Sequence, residues 1–163
     1  MGREELRTPC YVIQEEKLKE NLQILKDLRK KTGCRILLAQ KAFSMYSVYP
    51  LIGEYLDGTT ASGLYEARLG YEEMGLENHI FSPAYREEEM EEICGHVVFN
   101  SPAQLRKYRD RAKQAGRSIG LRINPECSTQ EGHAIYDPCA PFSRLGTTAE
   151  QFRREMTEED IQS

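Results

Sequence analysis

Apolar runs that begin near Arg35, Thr59, His79, His96 and Ser118 recur roughly every 20 residues, each followed by a turn and a segment of helical period. This rhythm limits what the chain can fold into, because parallel strands cannot be joined by a hairpin and need a long crossover connection. The spacing predicts helices over Ser44 to Leu56, Tyr65 to Met74, Glu87 to Ile93 and Gln104 to Ala115. Ser101 and Pro102 supply an N-cap and an N1 proline for the last of these, and Gly75 and Gly116 close two of them. Ahead of the repeat stand a lead strand, Cys10 to Ile13, and a helix from Glu15 to Lys31 with Leu18, Leu22, Leu25 and Leu28 on one stripe. The fold class is α/β: a partial (β/α) barrel of the TIM type, with barrel units from about residue 35. About five of the eight strands are present, since 163 residues fall short of the ~250 that a complete barrel usually needs.

Chemistry in such barrels gathers at the carboxyl ends of the strands. Those ends carry Lys41, Ser62, Ser82, Asn100 and Asn124. Lys41 follows the short apolar strand Arg35-Ile36-Leu37-Leu38-Ala39-Gln40, in surroundings expected to be dry enough to favour a neutral, nucleophilic amine able to form a Schiff base. A solvated lysine opening a helix is the plainer alternative. For the four other positions, caps and turns account for Ser and Asn.

Composition excludes more than it assigns. A net charge of −4, with 39% hydrophobic and 29% charged residues, offers no basic field for nucleic acid. The five cysteines, Cys10, Cys34, Cys94, Cys127 and Cys139, include no C-x-x-C pair and read as reduced thiols. There is no apolar leader and no run approaching the ~18 residues of a membrane span, so a cytoplasmic protein is expected. No metal site is expected: His79 and His96 start strands at the end of the barrel away from the chemistry, and His133 stands alone in a loop.

From Pro125 to Gly146 the rhythm lapses into a long irregular loop, of the length that is either functional or disordered. Tyr136, Phe142 and the prolines at 125, 138 and 141 favour an ordered loop. Helical character resumes after Thr147, with Phe152 and Met156 on one side and a second start at Thr157.

Five stretches then carry a family resemblance: Thr8-Pro9-Cys10-Tyr11-Val12-Ile13, Leu38-Ala39-Gln40-Lys41, Asp57-Gly58-Thr59-Thr60-Ala61-Ser62, Glu66-Ala67-Arg68-Leu69-Gly70, and Tyr136-Asp137-Pro138-Cys139-Ala140-Pro141 with Ser143-Arg144-Leu145-Gly146. In order and spacing they resemble the carboxynorspermidine (carboxyspermidine) decarboxylases. The departures are Phe142, where the resemblance calls for glycine, together with Gln40 and Tyr65. The resemblance implies a fold-type III pyridoxal-phosphate enzyme with an alanine racemase-like barrel followed by a β-domain, working as a homodimer. Residues 1–163 would be the N-terminal part of that barrel, with the rest of the barrel and the β-domain absent.

Lys41 matches the family's Schiff-base lysine, and Arg122, in Gly120-Leu121-Arg122-Ile123-Asn124, matches an arginine that approaches the cofactor's phenolic oxygen. The plainer reading of Arg122 is an arginine paired to a carboxylate beneath the barrel mouth. The implied reaction removes the carboxylate of carboxynorspermidine or carboxyspermidine to leave norspermidine or spermidine, the substrate being a small carboxylated polyamine. A non-catalytic pyridoxal-phosphate carrier with a single barrel is the alternative; the lead strand and the Asp-Pro-Cys-Ala-Pro stretch speak against it.

Overall fold

The computed structural model describes residues 6–92, 95–129, 132 and 134–162. Its centre is a five-stranded parallel sheet in the order β1-β2-β3-β4-β5. The strands are β1 (Leu37–Ala39), β2 (Gly58–Ala61), β3 (Glu77–Phe81), β4 (His96–Phe99) and β5 (Ser118–Leu121). Sequential neighbours pair in register, as in Ala39↔Thr60, Thr60↔His79, His79↔His96 and His96↔Ser118. Every crossover is long enough to hold a helix, as the repeat predicts.

Alternation along each strand sorts the side chains between two faces. On β3, Asn78 and Ile80 are buried, whereas Glu77, His79 and Phe81 are only partly covered. The buried set meets the helices. Ala61, Ile80, Val97 and Phe99 pack against Ala67 of α3 (Leu64–Glu73), Met90 of α4 (Glu89–Glu92), and Leu105, Tyr108 and Ala112 of α5 (Pro102–Gln114). A second cluster joins Ile36 and Leu38 to Leu22 of α1 (Glu15–Thr32) and to Tyr49 and Ile52 of α2 (Tyr49–Gly53). The other face of the sheet, the inner wall of the partial barrel, carries the partly covered set.

Helix punctuation follows the sequence. Ser101 Oγ accepts the Gln104 N–H and Pro102 occupies the first turn of α5. Gly75 and Gly116 adopt φ of +67° and +69°, the left-handed conformation that ends a helix. The predicted helix at Glu87 is shorter than its apolar pattern, and its expected end at Ile93, with Cys94, lies outside the described residues.

One expectation is corrected. Cys10 to Ile13 forms no strand. Among the described residues its backbone groups have no neighbouring strand to pair with, and Tyr11 and Val12 are 96% and 56% exposed. The loop after Asn124 is held at its base, in line with the order its aromatics and prolines favour: β6 (Ile123–Asn124) pairs in parallel with β7 (Thr147–Thr148). Beyond it, α6 (Ala149–Glu155) and α7 (Glu158–Gln162) form the two predicted helices, and the Thr148 hydroxyl accepts the Gln151 N–H.

Candidate active site

Lys41 emerges one residue beyond the ladder of β1. The Gln40 N–H still donates to Thr60 O at 3.2 Å, after which Ala42 and Phe43 turn back on Ala39 O. Alternation then sends consecutive side chains opposite ways. Gln40 goes into the helix layer, where it is 1% exposed and accepts a hydrogen bond from the Tyr49 hydroxyl at 3.3 Å. Its Nε2 has no partner among the described residues. Lys41 goes to the inner wall and lines a cavity of about 300 Å³ with Ala39, Thr60, Ala61, Ser62, Phe81, Val98 and Arg122. Lys41 is exposed rather than sheltered, a correction to the dry setting expected for it. The inner wall of five strands has nothing opposite it to exclude water.

Arg122 leaves the end of β5, its N–H donating to Phe99 O and its carbonyl accepting from Thr147 N, each at 2.8 Å. The guanidinium lies 4.4 Å from the centre of the Phe81 ring. Stacking on the ring supports the charge through the electron-rich face and holds the planar group flat. No carboxylate pairs with it among the described residues. The two residues singled out in the sequence therefore share one cavity.

The remaining strand ends behave as caps and ties. Ser62 N–H donates to the Glu66 carboxylate at 2.6 Å, and Ser82 N–H to the Tyr85 hydroxyl at 3.0 Å. Tyr85 in turn donates to Val98 O, and burial pushes its phenol above the ordinary value. Asn100 Nδ2 donates to Arg144 O at 2.9 Å and its Oδ1 accepts from Gly146 N at 2.7 Å, so Arg144 contributes its carbonyl to the neck of the long loop. His133 lies outside the described residues.

His79 and His96, expected to have no role, are brought together with Glu77 on the inner wall. The repeat placed both histidines at strand starts, which holds for His96 alone, since β3 begins two residues before His79. What the sequence does not contain is the register that sets them side by side.

No helix among the described residues is long and apolar enough to cross a membrane. No protein-family model matches the chain. Among curated proteins, a carboxynorspermidine/carboxyspermidine decarboxylase of Campylobacter jejuni is 41% identical over 152 residues, which are 91% of this chain and 39% of that protein. A carboxyaminopropylagmatine decarboxylase of Synechocystis is 40% identical over 147 residues, 88% of this chain and 38% of its own length. The chain thus spans about two fifths of the length of the curated relatives it matches. The crystal structure of the Campylobacter jejuni carboxynorspermidine decarboxylase complexed with norspermidine superimposes with a TM-score of 0.79 and 38% identity, covering 90% of this chain and 37% of that one. The five-stranded sheet is accordingly part of an alanine racemase-like barrel. By sequence and by fold, this chain is similar to about two fifths of the carboxynorspermidine/carboxyspermidine decarboxylase of Campylobacter jejuni.

Proposed function

We propose that a protein containing this chain is a pyridoxal-phosphate-dependent carboxy-lyase acting on carboxynorspermidine or carboxyspermidine, in polyamine biosynthesis, with Lys41 as the residue that bonds to the cofactor's aldehyde. The observation that supports this reading is the shared cavity at the carboxyl end of the sheet, which joins an accessible primary amine to a ring-stacked guanidinium. Its lining fits an aromatic aldehyde. Ala39, Phe81 and Val98 offer apolar wall, and the Lys41 side chain is unencumbered. When bound, pyridoxal phosphate supplies an electron sink for the pair left behind by departing carbon dioxide.

This chain's own residues do the holding. Lys41 would hold the cofactor's aldehyde through its side-chain amine, at the mouth of the cavity where a substrate amine could reach it. Arg122 keeps a fixed positive charge at the mouth, and Phe81 stops that guanidinium from swinging away. In this reading residues 1–163 are the N-terminal part of a complete barrel, and the later strands and a β-domain supply the phosphate contacts and the substrate-reading residues. The complete protein is then a cytoplasmic homodimer.

Borohydride reduction of the longest natural protein containing this sequence, in the presence of pyridoxal phosphate, is expected to fix the label on Lys41 by peptide mapping. Lys41→Ala should remove both the label and carbon dioxide release from carboxynorspermidine. A label on another residue would overturn the assignment.

A further inference from the structure

On the inner wall of the sheet, two of the chain's three histidines converge on one carboxylate. Glu77 and His79 are alternate residues of β3 and so face the same way; His96 is the direct partner of His79 on β4. His79 Nε2 lies 2.6 Å from Glu77 Oε1, and His96 Nε2 lies 3.2 Å from the same oxygen. The two imidazoles stack with centroids 4.1 Å apart and planes inclined by 15°. Arg35 takes the other carboxylate oxygen, Oε2. The hydrogen bond from His79, with Arg35 behind it, holds the Glu77 carboxyl below the usual carboxylate range.

We infer that Glu77 Oε1, His79 Nε2 and His96 Nε2 form a three-donor site for a divalent transition-metal ion of the zinc class.

The chemistry of the donors matches: two imidazoles and one carboxylate, with a fourth position left for water, is a zinc ligand set, and softer sulfur ligands play no part. The spacing matches as well. A tetrahedral ion bound at the usual Zn–N and Zn–O lengths separates its donors by about 3.4 Å. The His96 pair is close to that already, and all three donor atoms lie within 4.8 Å of one another. The His79 pair must open by roughly 0.8 Å, a movement within reach of rotation about the side-chain bonds of an imidazole. The same rotation splays the stacked rings so that both Nε2 lone pairs aim at the ion. With an ion bound, each imidazole presents its Nε2 lone pair to the metal and carries its proton on Nδ1.

Access and support are both present. The side chains of His79 and His96 are 30% and 35% exposed, so neither imidazole is sealed within the packed helix layer. Arg35 anchors the oxygen that does not coordinate, and with a 70% exposed side chain much of its charge is screened by water. Donors at alternate positions of one strand plus the facing residue of the next are fixed by the backbone ladder. The site therefore needs no loop to form.

Titration of the 163-residue chain with cobalt(II) is expected to saturate at one ion per chain, with the ligand-field absorption of a tetrahedral site and no thiolate charge-transfer band. Zinc should displace it. X-ray absorption of the zinc-loaded chain should count two imidazole ligands. His79→Gln and His96→Gln, each checked by circular dichroism for retained fold, should weaken cobalt binding by more than about 100-fold, since even second-shell changes cost 10–100-fold. Failure of the unaltered chain to bind one equivalent, fewer than two imidazoles on the zinc, or undiminished binding by folded His79→Gln and His96→Gln variants would overturn the inference. The absorption count is made on the unaltered chain and stands even if a variant fails to fold.

Discussion

Lys41 leaves the first strand of the sheet and Arg122 leaves the fifth, yet both line the same cavity. Strands at opposite edges of a flat sheet would hold such residues well apart, so the curvature of the sheet is what joins them. Phe81, on the middle strand, fills the space between and carries the guanidinium on its ring. The amine and the cation are thereby set by the barrel's shape rather than by any loop.

Taken alone, the 163-residue chain is expected to lose pyridoxal phosphate on gel filtration and to release no carbon dioxide from carboxynorspermidine. The phosphate is the cofactor's main handle, and the cavity around Lys41 offers one guanidinium and an open side to solvent. Retention of one cofactor per chain through the column, with turnover, would contradict this.

Gly70→Ala should destabilise the fold. A Cβ on this buried turn of α3 would overlap Thr59 Oγ1 and come within 2.9 Å of Gln40 Nε2. Thr59 and Gln40 are each 1% exposed, so neither can move aside freely. Overpacking of this kind costs about 1–3 kcal/mol, read as a lower urea midpoint at unchanged slope. An unchanged midpoint would show that the layer between β2 and α3 yields more readily than its packing implies.

Phe142→Gly should stabilise it. Phe142 sits at φ +66° with its ring wholly in solvent, so the substitution forfeits no packing and relieves a left-handed backbone. The strain of 1–2 kcal/mol, less the extra chain entropy of glycine, leaves a gain of about 0.5–1 kcal/mol. Thermal unfolding of the two chains side by side decides it.

Asp160 gives α7 a pH dependence. Its buried carboxylate accepts from Arg106 at 2.8 Å, from Arg109 at 3.0 Å and from the Thr157 N–H at 3.1 Å. These partners, the Thr157 amide foremost, hold the carboxyl below its ordinary value. The unfolded carboxyl therefore binds a proton more readily than the folded one. The contribution is present in full at neutral pH and is lost as pH falls through the usual carboxylate range near about 4 and below it. Protection of the α7 amides, taken relative to the intrinsic exchange rate at each pH, should fall between pH 7 and pH 3, and Asp160→Asn should show the reduced protection already at pH 7.

Strand positions were readable because each is a short apolar run with turn residues on either side, and parallel pairing forces the long spacing between them. The strand-end position singled out Lys41, whereas Arg122 was singled out only by the family resemblance; the structure sets both on one cavity. The segment from Cys10 to Ile13 looked like the other strands, but β-pattern is only half of a strand; the other half is a neighbour with free N–H and C=O groups. The convergence of Glu77, His79 and His96 depends on register between β3 and β4, which is set in three dimensions. Phe142 shows the converse: the glycine called for at that position matches a backbone angle that the phenylalanine adopts under strain.

Asn100 has a consequence for the long loop. One side chain, bonded to Arg144 O and Gly146 N, cinches the excursion at its neck. A change that removes that one amide therefore releases both ties to the excursion at once, which makes position 100 a single point of control over where the loop stands.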